Sequence, residues 1–137
     1  MTGAALHRWR MVVAGCLAIA AALKGAARVE GVDNDPQALE ATAVNAARNG
    51  VEQIVIACAP DAFRARKADT VMANILAGPL IELAPVIAGC ARPGADIVLS
   101  GLLEEQVEMV ASAYADTCRL ESVETRDGWA RVALQKT

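Results

Sequence analysis

The sequence of 137 residues is long enough for one domain with a sizeable hydrophobic core. Apolar residues make up 55% of it and aromatic residues only 3%, so the core must consist mainly of alanine, valine, leucine and isoleucine. That composition suits helices packed on a buried parallel sheet. The net charge of −3 argues against a nucleic-acid-binding protein, because such a protein needs a basic surface to contact phosphates.

The four cysteines lie far apart in the sequence and form no CxxC pair. A structural zinc site needs closely spaced ligands, so this spacing predicts no metal site. We expect small buried thiols in a protein of the reducing cytoplasm. The four are Cys16, Cys58, Cys90 and Cys118.

The start of the chain allows two interpretations. Met1–Arg10 is basic and Met11–Leu23 consists of apolar residues and glycine, which is typical of a secretory signal peptide. The chain would then be an exported protein with a processed leader. The apolar run is too short to span a membrane, and it fits better a buried strand at Arg10–Val13 followed by a core helix at Leu17–Leu23. We favour the strand and the helix, with an unmatched leader before them.

The next strand is predicted at Arg28–Val32 and is closed by Asp33. In a parallel α/β sheet, a carboxylate just past a strand lies at the edge of the ligand crevice, where it can accept hydrogen bonds from the hydroxyls of a ribose. The alternative is an ordinary strand–turn–helix in which the acidic residues only cap the helix and keep the surface soluble. Taken alone, this segment leaves both interpretations open.

A helix follows this strand. Asp35 can cap its free N–H groups, and Pro36 suits the first helical position because its φ is fixed and it has no N–H. Asn49 and Gly50 form the stop signal. The apolar face is predicted to contain Leu39, Ala43 and Ala46.

The rest of the chain continues to alternate between strands and helices. Its predicted elements, in order, are strand Gln53–Cys58, strand Ala68–Ala73, a helix with Leu80, Leu83, Ala84 and Ile87 on one face, a turn at Arg92–Gly94, strand Ile97–Leu99, a helix entered through Glu104 and Glu105 with Val107, Val110, Ala111 and Tyr114 on one face, and a hairpin of Leu120–Thr125 and Trp129–Leu134 around Asp127-Gly128.

This alternation predicts a doubly wound α/β fold of the Rossmann-like type. The sheet would be mostly parallel, with right-handed crossovers and an antiparallel hairpin at the C-terminus. We find no repeat, linker or domain boundary, so residues 1–137 are expected to form a single domain.

Four segments carry a resemblance to a known family. They read VDNDPQALEA, ANILAGPL, SGLLEEQ and DGWARVAL. From about Gly15 to the C-terminus, the chain resembles the C-terminal catalytic domain of the bacterial ribosomal protein L-eleven methyltransferases, which are class I S-adenosylmethionine-dependent enzymes. The resemblance implies a class I methyltransferase sheet, S-adenosylmethionine as cofactor, and N-methylation of lysine and N-terminal amines of a large-subunit ribosomal protein.

The resemblance also implies roles for individual residues. Asp33 takes the ribose-binding position, and Gly15 belongs to the loop beside the cofactor. Asp61 lies near a position that often contacts adenine. Asn74 is the implied catalytic residue, which touches the cofactor and orients the attacking amine, although its local sequence alone favours a helix cap. The apolar walls of the substrate site would be Ile75 and Leu76.

The chain also departs from the family. Where the family has a glycine loop of the type GCGSGILAIAA, Val13–Ala21 reads VAGCLAIAA, which is shorter and has fewer glycines. The family's N-terminal substrate-recognition domain has no counterpart here, and Met1–Arg10 matches nothing in the family. A non-catalytic remnant or partner-binding module unable to hold cofactor is therefore the alternative. In either case we expect no direct contact with nucleic acid or membrane, and the oligomeric state stays open.

Overall fold

A computed structural model of the chain describes residues 10–14, 18–59 and 67–137. The chain divides into two compact units, Met1–Arg64 and Ala65–Thr137. Each unit is described separately, and the single domain remains a prediction.

The first unit is a parallel β–α–β arrangement. Its strands lie in the order β3-β2-β1, with β2 paired in parallel to both neighbours. The valine and isoleucine content of these strands suits such a sheet, because β-branched side chains pack well on a pleated surface. The elements are β1 Arg10–Ala14, α1 Ala18–Leu23, β2 Arg28–Val32, α2 Pro36–Arg48 and β3 Val55–Cys58.

Helix α2 begins and ends where the sequence signals predict. The Gln37 backbone N–H donates to Asp35 Oδ1 at 2.9 Å, and Pro36 occupies the first turn. The helix stops at Arg48, and Gly50 follows with φ of +70°, a conformation that a side chain disfavours. One detail of the prediction is wrong: Ala46 is buried, but Ala43 is exposed, so the buried stripe of this helix is narrower than the apolar pattern indicated.

The second unit contains the predicted change from parallel to antiparallel pairing. Its strands lie in the order β4-β5-β7-β6, in which β4 and β5 are parallel and the other two pairings are antiparallel. Asp127 and Gly128 both have positive φ at the tip of the closing hairpin, as a tight turn between twisted strands requires. The elements are β4 Ala68–Asn74, α3 Ala77–Glu82, α4 Ala84–Gly89, β5 Ala91–Leu103, a 3₁₀ turn Glu104–Gln106, α5 Val107–Tyr114, β6 Cys118–Arg126 and β7 Trp129–Lys136.

The single helix predicted around Leu80–Ile87 is in fact a pair of short helices, α3 and α4, that meet at Leu83. The cause is Pro85, which has no N–H and cannot bond the carbonyl four residues earlier. Leu80, Ala84 and Ile87 are buried as predicted, whereas Leu83 at the junction is 43% exposed.

The turn predicted at Arg92–Gly94 is also wrong, because these residues lie within β5. The proline and glycine in this segment nonetheless coincide with a break in the regular strand pairing. The β4–β5 register jumps from Ala68↔Ala91 to Thr70↔Asp96, and Gly94 has φ of +85°. The proline and glycine therefore produce an irregularity inside a long strand instead of ending it.

The core of the second unit lies between its sheet and helices α3 to α5. Its largest fully buried side chains are Tyr114, Leu80, Ile97, Leu99, Leu102, Val110 and Val132. Cys90 and Cys118 are buried as predicted, while Cys58 in the first unit is half-buried. In the parts of the chain that the structure describes, no helix has the length and apolar character needed to cross a membrane.

Candidate active site

Asp33 lies at the carboxyl end of β2. Its backbone N–H donates to the Cys58 carbonyl at 3.2 Å, which extends the β2–β3 pairing by one residue and holds Asp33 at the edge of the sheet. Its Oδ1 accepts the Asp35 N–H at 2.9 Å and so shapes the turn into α2. The side chain is half-buried, and no hydrogen bond within the described residues uses its other oxygen, Oδ2. A carboxylate oxygen accepts hydrogen bonds and donates none.

Small residues let α1 approach β2 closely. Gly31 is buried, and a Cβ placed on it would lie 3.4 Å from the Ala18 Cβ, in ordinary van der Waals contact. Ala18 is also buried, at the first turn of α1. Both residues are small, so this helix and strand pack side by side without a bulky side chain between them.

Glu30 is a buried acidic residue that the sequence reading did not single out. It is 8% exposed and forms an ion pair with Arg28, whose Nε lies 3.3 Å from Glu30 Oε1. Partial burial, and secondly the negative charge of Glu30, raise the pKa of the Cys58 thiol above its ordinary value. The only signal for Glu30 in the sequence is that it interrupts an otherwise apolar strand.

Asn74 is the last residue of β4, at the carboxyl end of the parallel β4–β5 pair. It is exposed, and its Oδ1 accepts a hydrogen bond from Ser100 Oγ at 3.2 Å. Leu76, and not Asn74, is the cap residue of α3, and that helix has no side-chain cap. The helix-cap alternative for Asn74 is therefore wrong.

The two residues after Asn74 form the connection to α3. Ile75 is half-buried, whereas Leu76 is 69% exposed. Their role as substrate walls remains a prediction. The predicted cofactor contacts at Gly15 and Asp61 lie outside the described residues.

Ser100 and Gly101 begin the motif SGLLEEQ, and the sequence alone indicates no role for either. Ser100 pairs with Asn74 across the parallel strands. Gly101 has φ of +87°, and a Cβ placed on it would lie 2.7 Å from the Ile75 carbonyl oxygen and 2.9 Å from Asn74 Oδ1. Real Cβ atoms essentially never come so close, so only glycine fits here. In the sequence, a single glycine that follows a strand pattern is the one feature that could have indicated a bulge or a close approach of the backbone here.

Comparison with known families agrees with the fold and with the motifs. Residues 13–137 match the model of the family described as "Ribosomal protein L11 methyltransferase (PrmA)". The chain belongs to this family. A ribosomal protein L11 methyltransferase from Vibrio cholerae is 49% identical over 123 residues, which cover 89% of this chain and 42% of that relative. A second, from Pseudomonas putida, is 50% identical over 120 residues, covering 87% of this chain and 41% of the relative.

Solved structures of methyltransferases share the fold of this family member. A ribosomal protein L11 methylase from Lactobacillus delbrueckii superposes with a TM-score of 0.79 and 24% identity, covering 93% of this chain and 70% of that one. An RNA methyltransferase from Salinibacter ruber, solved in complex with S-adenosyl-L-homocysteine, gives 0.72 and 17% identity over 93% and 80% of the two chains. The predicted mostly parallel α/β class with an antiparallel C-terminal hairpin is thereby confirmed. The chain spans less than half the length of the curated relatives it matches.

Proposed function

We propose that this chain provides the catalytic part of an S-adenosylmethionine-dependent protein N-methyltransferase acting on amines of a ribosomal protein in the cytoplasm. The observation that carries the proposal is the position of Asp33 at the carboxyl end of the parallel strand β2, in a chain of this family. Ligands of open α/β sheets bind outside the carboxyl ends of the strands.

Asp33 would hold the ribose of the cofactor. Its Oδ1 already accepts the Asp35 N–H, while Oδ2 has no partner among the described residues. A carboxylate oxygen accepts hydrogen bonds from hydroxyl groups and donates none, which matches the needs of a ribose.

Asn74 would receive the substrate amine. An amine attacks through its lone pair, so its N–H groups must be held by acceptors that do not protonate it. The Asn74 amide oxygen is such an acceptor, and Asn74 is an exposed residue at the end of β4. The cofactor, when bound, supplies an electrophilic methyl group. The chain's own contribution is to place the amine and to surround it with apolar groups such as the exposed Leu76 side chain.

Calorimetric titration of the purified chain with S-adenosylmethionine and with S-adenosylhomocysteine tests the cofactor part of this proposal. We expect saturable binding of both with one site per chain. A chain that circular dichroism shows to be folded but that binds neither compound would contradict the proposal and favour the non-catalytic, partner-binding alternative.

Transfer of labelled methyl from S-adenosylmethionine to purified ribosomal protein L11 tests the substrate part. We expect label on lysine and N-terminal amines of that protein, located by peptide mass spectrometry. If the chain binds the cofactor but transfers no methyl group to L11, the proposed substrate is wrong. The proposed cofactor would not be affected by that result.

A further inference from the structure

We propose that Ser100 and Gly101 form a positioning device that holds the Asn74 amide and the backbone of Ile75 in place for the substrate amine. This inference rests on the proposed function of Asn74. Neither residue is expected to touch the substrate, so both are positioning residues and not catalytic ones.

The first part of the device is the Ser100 hydroxyl. Ser100 and Asn74 are register partners on β5 and β4, and Ser100 Oγ donates to Asn74 Oδ1 at 3.2 Å. An exposed asparagine side chain otherwise rotates freely about its χ angles, so this bond selects one orientation of the amide. An amide oxygen has two lone pairs, and the second one is left for an N–H of the amine.

The second part is the bulge at Gly101. In the β5–β7 pairing, Ser100 lies opposite Arg131 and Leu102 lies opposite Ala130, so Gly101 is the extra residue. Its φ of +87° and missing side chain allow the Asn74 amide and the Ile75 backbone to occupy the space a Cβ would take. Bulges of this kind re-aim neighbouring side chains and often lie next to active sites.

The two parts act on the same group. The Asn74 amide oxygen lies against Gly101 on one side and accepts from Ser100 on another, while the Ile75 carbonyl packs on the same glycine. Removal of the hydroxyl should therefore loosen the amide without moving the backbone. Addition of a methyl group at Gly101 should displace both.

Steady-state kinetics of the full chain tests the first part. Ser100→Ala should lower kcat roughly fivefold, the worth of one neutral hydrogen bond, and leave the KM for S-adenosylmethionine unchanged. Ser100→Thr keeps the hydroxyl and should restore kcat. The matched control is Ser112→Ala, whose hydroxyl bonds the Glu108 carbonyl on the exposed face of α5, and it should match wild type. An unchanged kcat in Ser100→Ala, or a change confined to KM, would overturn the role.

Gly101→Ala tests the second part against Gly128→Ala. Both glycines have φ near +85°, so alanine strains the backbone at either position. Nothing lies within 4 Å of a Cβ at Gly128, so only Gly101→Ala adds a steric clash to that strain. Gly101→Ala should lower kcat more than Ser100→Ala does, whereas Gly128→Ala should only lower the melting temperature. Equal kcat values in the two glycine variants would contradict the proposal.

A spectroscopic measurement keeps the inference testable even if the wild-type chain transfers no methyl group. The Asn74 side-chain amide pair in a ¹⁵N–¹H spectrum is identified by its loss in Asn74→Ser. In Ser100→Ala it should move toward the position of a free amide, while the pairs of Asn34, Asn45 and Asn49 stay in place. No movement would overturn the positioning, and movement in an inactive chain would uphold it while the proposed function fails.

Discussion

The Asp33 carboxylate has two oxygens, and within the described chain only Oδ1 is used, by the Asp35 N–H. Substitutions of Asp33 can therefore separate its role in the turn from its proposed role in binding the ribose. Asparagine keeps an oxygen for the turn but replaces the second acceptor with an N–H donor, whereas alanine removes both.

We predict that Asp33→Asn weakens S-adenosylhomocysteine binding at least tenfold with little change in melting temperature, because it removes only the ribose acceptor. Asp33→Ala should weaken binding to the same degree and also lower the melting temperature, since the turn loses its acceptor. Titration calorimetry and thermal unfolding measure the two effects. Asp116→Asn is the control, at an exposed position beyond α5. Unchanged affinity in Asp33→Asn would refute the ribose contact.

Asn74 should affect turnover more than cofactor affinity, because its proposed partner is the amine. We predict that Asn74→Ala lowers kcat for methyl transfer by a larger factor than it raises the Kd for S-adenosylmethionine. Asn74→Asp is compared with Asn74→Ala, because a carboxylate keeps the acceptor oxygen but adds a negative charge. A variant that loses affinity and retains kcat would reassign Asn74 to the cofactor.

At the scale of elements, a side chain of α5 provides a hydrogen bond that the backbone of α3 lacks. The Tyr114 hydroxyl donates to the Leu80 carbonyl at 2.8 Å in a fully buried position. Leu80 lies in the last turn of α3, where carbonyls lack partners within the helix. Burial first, and then the nearby Cys118, raise the pKa of Tyr114 well above its ordinary value.

Tyr114→Phe should destabilise the chain by about 1–3 kcal/mol, because it leaves the buried Leu80 carbonyl without a donor. Folding favours the protonated phenol, so its stabilising effect is complete below the unfolded pKa of about 10 and is lost as the pH rises toward the higher folded value. Wild type should lose stability above about pH 10 more steeply than Tyr114→Phe does. Urea unfolding from pH 7 to 11 measures this.

Ser112→Ala is the matched control for Tyr114→Phe, because it removes an exposed hydroxyl from the same helix. It should change the unfolding free energy by less than about 0.5 kcal/mol. Parallel alkaline profiles for wild type and Tyr114→Phe would show that Tyr114 does not carry the pH dependence.

Local signals predicted most elements of this chain, and the errors have identifiable causes. Asp35, Pro36 and Gly50 place the ends of α2 correctly, because caps depend on residues close in sequence. The break at Pro85 was missed because an apolar repeat persists on both sides of it. The irregularity at Gly94 was read as a turn, since the pairing of β5 with β4 and β7 depends on distant residues.

The same limit applies to the site. Asp33 and Asn74 were identified because each follows a strand and belongs to a family motif. Ser100 and Gly101 were not assigned a role, since their significance depends on a register partner 26 residues away. Only the paired strands bring the hydroxyl, the glycine and the amide together.

At the scale of the molecule, each unit contains cysteines whose rate of chemical modification measures how accessible that unit's interior is. Cys58 is half-buried in the first unit, while Cys90 and Cys118 are buried in the second. Thiolates are the reactive form, so a raised pKa and burial both slow modification.

We predict that iodoacetamide at pH 8 modifies Cys58 in the folded chain more slowly than it modifies a free thiol, and modifies Cys90 and Cys118 only as the second unit opens. Glu30→Gln should speed the reaction of Cys58, because it removes a nearby negative charge, whereas Glu40→Gln on exposed α2 should not. Peptide mass spectrometry of timed samples gives each rate. Fast labelling of Cys90 without denaturant would contradict the buried position.

Strand β6 lies at the edge of its sheet, and all of its residues after Cys118 are exposed. An edge of this length can recruit a strand from another molecule and begin a fibril. Its charged residues oppose this, through an Arg119–Glu121 ion pair within the strand and a Glu124–Arg131 pair across to β7. Replacing both glutamates with glutamine would remove these ion pairs and leave the edge less protected, so we expect that variant to lose solubility before the wild type does.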